Sequence, residues 1–155
     1  MTTKAIHGAR ILLGVIFTGF GLNGFFHFLP LLPMSGPPEH FLGALIVTGY
    51  LFPLLKATEV LAGTLLLSDR LVPLALTLLA PVVVNIVAFH LFLAPSGLPL
   101  PVLILTLEVF LAHGYWSAFA GLLRVRISPD SGKVSAAGHV AAARPDLSTP
   151  QNSEG

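Results

Sequence analysis

The sequence contains no cysteine at all, and it is poor in charge. The first absence removes disulfides, thiolate metal sites, iron–sulfur ligation and any dithiol relay. If the chain takes part in electron transfer, the electrons travel on something other than its own sulfur. The second absence is as informative. Charged residues make up 10% of the 155, where a soluble domain carries about 25%. The net charge of +1 leaves no electrostatic footprint for a nucleic acid. No serine sits in a nucleophile turn and no phosphate-binding loop is present, so nothing points to a hydrolase. Lysine and arginine are missing from two stretches that must be loops, Pro30 to His40 and Pro95 to Pro101.

What fills the chain instead is apolar sequence: 54% of the residues, with a mean hydropathy of +0.86. Four runs approach or exceed the roughly 20 apolar residues that cross a bilayer as a helix. They extend from Ile11 to about Leu32, Phe41 to Leu67, Leu71 to about Ala94, and about Val102 to Leu123. The expected fold is all-α, a polytopic membrane four-helix bundle. The first run follows a short basic segment, as a signal peptide would. No small-residue cleavage site follows it, so it reads as a retained span. Prolines at 30, 33, 37 and 38 predict a loop between the first two spans. Pro53 is the expected kink of the second span. Pro81 lies inside the third and frees a carbonyl, which Thr77, one turn earlier, could help re-satisfy. Beyond Ser128 the chain is small, polar and free of aromatics, a composition that predicts disorder. The expected division is a bundle over residues 1–127 and a disordered cytoplasmic tail over 128–155.

Orientation follows from the basic residues. Lys4, Arg10, Arg70, Arg124 and Arg126, with Lys133 and Arg144 in the tail, all fall on one side of four spans. That side is the cytoplasm, and both termini belong there.

The polar residues within the spans are the candidate site. Lys56 and Glu59 lie in the second run, where each costs about 2.5–3.5 kcal/mol to insert. Gly49, Pro53, Lys56 and Gly63 share a helical stripe with Glu59 at its edge, so this side should face the bundle interior. The pair reads either as a proton-active site or as an ion pair fixing helix register. Counted from the outer ends at about 1.5 Å per residue, His27 and His90 lie roughly 5 Å deep, and Asn23, Asn85 and Glu108 roughly 10–14 Å. These five could line one outer pocket, closed below by Lys56 and Glu59 with His113. The bland alternatives are interhelical glue for the asparagines and snorkelling or helix capping for the histidines. Matched histidine depths would also suit haem, but no attachment or metal-spacing motif supports a metal. Glu108 has no nearby base in its own helix and must meet Lys56, a histidine or a proton. On the first span, Gly19, Asn23 and His27 lie on one face, with Gly14 and Gly21 roughly opposite, which suits a helix touching two neighbours.

Three segments together resemble the DoxX family of small bacterial four-helix membrane proteins. They are ARILLGVIFTGFGLNGFFHF, GYLFPLLKATEVLAGTLLL and RLVPLALTLLAPVVVNIVAFHLFLAPSGLP. The resemblance covers about residues 8–123, and its most telling pieces run from Phe20 to Phe28 and from Glu59 to Leu67. It implies a multi-pass protein of the bacterial inner membrane. It also implies a membrane subunit linked to thiosulfate:quinone oxidoreduction or a partner in a thiol-stress redox assembly. Quinone is the cofactor class so implied, and a soluble oxidoreductase or a second copy the partner. The other function classes open to these residues are a small-solute or proton permease using Lys56, Glu59 and Glu108, and a purely structural assembly factor.

Overall fold

A computed structural model describes residues 2–30 and 33–122 of the chain. Every regular element among them is helical. The expected tail, 128–155, lies outside the described residues.

Helix α1 covers Thr3–Phe26. It stops where His27 turns into the left-handed region, at φ 52°, its N–H bonding back to the Asn23 carbonyl at 2.9 Å. Asn23 then holds the departing chain. Its Oδ1 accepts the Leu29 N–H at 2.6 Å and its Nδ2 donates to the Leu29 carbonyl at 3.4 Å.

The proline-rich stretch is not all loop, as its composition predicts. Helix α2 spans Pro37–Val47 and begins on Pro37 and Pro38. The first N–H groups of a helix have no internal partner, so two prolines there cost nothing. Glu39 in the first turn complements the helix dipole. Helix α3 follows over Leu51–Leu67, and the two are bent by 92°.

The bend corrects the expected kink at Pro53. That proline stands in the first turn of α3, where a helix tolerates it. The break lies upstream, at Gly49, whose φ of +75° favours glycine. Thr48 caps both sides of it: its hydroxyl donates to the Leu45 carbonyl at 2.6 Å and accepts the Leu51 N–H at 3.1 Å.

Helix α4 covers Val72–Phe92 with Pro81 inside it. Thr77 does not serve the carbonyl that Pro81 frees; its hydroxyl donates to the Pro73 carbonyl at 2.9 Å. A 3-10 turn at Pro95–Gly97 leads to α5, Pro99–Gly114, and then to α6, Trp116–Leu122.

Helices α1, α3, α4 and α5 touch in a closed ring: α1 on α3, α3 on α4, α4 on α5, and α5 back on α1. The α1–α3 contact is the most extensive. Glycine makes it close. Gly14 faces Leu67 and Gly63, Gly21 faces Val60, and Gly63 faces the backbone of Thr18, whereas Gly19 has no neighbour within 4 Å. So the Gly14–Gly21 face of α1 is a packing surface of the kind small residues allow, and the Gly19 face is not. Leu13, Phe17, Leu66, Leu79, Val83 and Leu111 are buried along the axis of the ring. At one end, Arg10 is buried against α3, donating to the Leu66 carbonyl and pairing with Asp69 at 3.2 Å.

The outside of the ring is as apolar as its inside. Val47, Val84, Val109 and Phe92 stand exposed, as suits helices solvated by lipid. Two helices, α1 and α4, are long and apolar enough to cross a membrane, and α2 with α3 makes a third if the bent pair counts as one span. Helix α5, at 16 residues, is about 24 Å long against a hydrocarbon core of about 30 Å.

Candidate functional site

The bend at Gly49 carries α2 across the mouth of a cavity inside the ring. The cavity holds about 520 Å³ and is bounded by all five of the helices α1 to α5. Its wall is aromatic and aliphatic: Phe17 and Phe20 from α1, Phe41 and Leu45 from α2, Phe52 from α3, Phe89 from α4 and Ile104 from α5. The Phe41 and Phe89 rings lie 5.6 Å apart and tilted, which ties α2 to α4.

Four polar side chains reach this apolar space: Lys56, Glu59, Asn85 and His90. Lys56 and Glu59 sit one turn apart on α3 and form an ion pair. The Lys56 Nζ lies 2.8 Å from one Glu59 carboxylate oxygen and 3.1 Å from the other. Their side chains are 18% and 4% exposed. Each charge offsets part of the desolvation of the other, and removing either alone would leave an uncompensated buried charge. The lysine stem lies over Gly24 of α1, and its ammonium stands 5.6 Å from the Phe52 ring centre. An ammonium has three N–H groups, so one remains beyond the two that meet Glu59.

His90 is held by its own helix, with Nδ1 at 2.8 Å from the Ile86 carbonyl. A carbonyl only accepts, so Nδ1 carries a hydrogen, and in the neutral ring Nε2 is left as an acceptor. Gly97 makes room for that edge of the imidazole; a Cβ there would lie 3.0 Å from Nε2. Asn85 donates to the Pro81 carbonyl at 3.3 Å and keeps its amide oxygen.

The other candidates lie elsewhere. Asn23 is buried but spent on Leu29. His27 is an exposed helix terminus, and His113 is exposed on α5. Glu108 is buried in a separate hollow between α4 and α5. The structure therefore brings together Lys56, Glu59, Asn85 and His90, and does not join Asn23, His27 or Glu108 to them. Among the described residues no three of His, Cys, Asp or Glu gather as a metal site would require.

Sequence reasoning missed α2 as a cavity wall, and with it Phe41 and Leu45. The signal was present: two prolines followed by Glu39 make a helix start. It missed Gly24 as well, because closeness to Lys56 depends on the packing of α1 on α3. Comparison with family models, curated proteins and solved structures found no match to this chain.

Proposed function

We propose that this chain is a four-span protein of the bacterial cytoplasmic membrane, with both termini in the cytoplasm. In this reading it binds a quinone as the membrane subunit, or membrane partner, of a redox assembly. The observation that carries it is one ion pair at the wall of an aromatic cavity. A quinone has a flat ring, carbonyl oxygens that accept hydrogen bonds, and an apolar tail. The cavity offers a flat-sided apolar space, a lysine N–H beyond those held by Glu59, and a volume within the range of about 300–1,000 Å³ typical of small-molecule sites. The resemblance to the DoxX family and the one-sided placement of Lys and Arg support the same reading.

The cysteine-free chain has no thiol to carry electrons; in this reading it seats the ring and a partner oxidoreductase supplies the electrons. A permease using Lys56, Glu59 and Glu108 together is less well supported, since Glu108 opens into a different hollow from the other two.

The test is extraction. Protein purified in mild detergent is treated with organic solvent, and the extract is examined for quinone by ultraviolet spectrum and mass. Quinone near one per chain is expected from the native protein, and much less from a Lys56→Met, Glu59→Leu double variant. Equal traces from both would end the proposal.

A further inference from the structure

The cavity offers a ligand hydrogen-bond acceptors as well as a donor. Lys56 supplies the donor, the N–H left over from its ion pair. A carboxylate has about four lone-pair sites on its two oxygens, and Lys56 takes one on each oxygen of Glu59. Glu59 therefore still accepts, beside the ammonium and on the same cavity wall. The other acceptor is Nε2 of His90, whose Nδ1–H is held by the Ile86 carbonyl at 2.8 Å.

These groups stand at two heights. Helix α3 ends at Leu67 and α4 begins at Val72, so both can be measured from the turn between them. At about 1.5 Å per residue, Lys56 stands roughly 16 Å from that turn and His90 roughly 27 Å. Helical side chains lean toward their N-terminus, so the imidazole leans back toward the turn and closes part of the gap. What remains is within reach of one six-membered ring with oxygens at opposite ends and a hydrogen bond of about 2.8 Å at each.

A quinone carbonyl only accepts. It would satisfy Lys56, but it would set lone pairs against Glu59 at one end and His90 at the other. A hydroxyl both accepts and donates. We infer that the cavity selects the hydroquinone over the quinone, with His90 as the residue that distinguishes them. One hydroxyl accepts from Lys56 and donates to Glu59, and the opposite hydroxyl donates to Nε2 of His90. Gly97 positions the imidazole, since a Cβ there would lie 2.6 Å from its Cδ2 and 3.0 Å from Nε2. The inference rests on the quinone reading of the cavity and adds the redox form and the role of His90. A site that binds the reduced form more tightly raises the potential of the bound couple, by about 30 mV for each tenfold of preference. That makes the bound quinone a stronger oxidant toward a partner.

The full chain in detergent, kept free of oxygen, is titrated with a short-tailed benzoquinone, its hydroquinone and the dimethyl ether of that hydroquinone. The hydroquinone should bind roughly five- to a hundredfold more tightly than the quinone, the penalty for leaving a buried acceptor unpaired. The ether has no O–H and should bind no better than the quinone. His90→Phe keeps a flat ring without the acceptor; it should weaken hydroquinone binding and leave quinone binding unchanged. Gly97→Ala keeps the imidazole but displaces it, and should lose part of the preference in the same way. Unchanged quinone binding also shows that each variant folds. Equal affinity for the two forms, a preference for the quinone, or a hydroquinone preference that survives both variants overturns the inference and leaves the quinone reading standing. So does a loss of both ligands in equal measure in the two variants. Binding of none of the three compounds to the native chain overturns both.

Discussion

Gly24 of α1 lies beneath the aliphatic stem of Lys56, so close that a methyl group on the glycine would overlap Cγ and Cδ of the lysine. The missing side chain on one helix thus decides where the ammonium of another can stand. A Gly24→Val variant should push the stem aside with modest loss of stability, because the atoms it meets belong to a flexible chain. Gly63→Ala is the contrast. Its new methyl would lie 2.6 Å from the Thr18 nitrogen and 3.0 Å from the Gly14 carbonyl, and backbone cannot step away. We expect Gly63→Ala to cost about 1–3 kcal/mol, as overpacking does, and Gly24→Val to lose ligand affinity instead. Denaturant unfolding in detergent, beside a binding assay, separates the two.

The ion pair makes a second prediction. Lys56→Met leaves Glu59 buried without its cation, and breaking a buried pair this way costs about 3–5 kcal/mol. The double change to Met and Leu at 56 and 59 removes both charges and should recover most of that loss. Unfolding free energies of the single and double variants check it. A single variant as stable as the native chain would show that Glu59 has another partner.

Gly49 predicts a change of shape. At φ +75°, an alanine would pay roughly 1–2 kcal/mol for the left-handed conformation. Straightening α2 onto α3 relieves that cost and uncovers the cavity. Spin labels at Leu45→Cys and Leu61→Cys should report a longer or broader distance in Gly49→Ala than in the parent.

At the other end, Arg10 and Asp69 form a pair of unequal members. The Arg10 side chain is 6% exposed and the Asp69 side chain 52%. Asp69→Asn should therefore cost no more than about 1 kcal/mol, as exposed ion pairs do. Arg10→Met removes a charged donor from the buried Leu66 carbonyl, and should cost about 1.5–3 kcal/mol. Thermal unfolding of the two variants ranks them.

Much of this was visible in the residues. Long apolar runs give helices, and a lysine and a glutamate inside one of them had to face inward, as Lys56 and Glu59 do. The stripe drawn through Gly49, Pro53, Lys56 and Gly63 assumed one continuous helix. The break at Gly49 takes that glycine out of the stripe, and within α3 the buried positions are Glu59, Ala62, Gly63 and Leu66, with Pro53 exposed. The grouping of Asn23, His27, Asn85, His90 and Glu108 had a different weakness. Counting residues from a helix end fixes height but not rotation. Glu108 shares a depth with Asn85 and still faces another way, and Asn23 turns to its own chain end. Rotation is set by side-chain packing between helices, which a single sequence does not display. The cavity itself depends on α2 folding back over α4, through a contact between Phe41 and Phe89 that no local pattern marks.

The most direct measurement is the affinity of a short-tailed quinone for the purified protein, by calorimetric titration. The native chain and Glu108→Gln should bind alike. The Lys56→Met, Glu59→Leu double variant should bind at least about tenfold more weakly, the loss expected for a hydrogen bond to a charged group. Binding to the double variant as tight as to the native chain, or no binding to either, would contradict the assignment of the cavity.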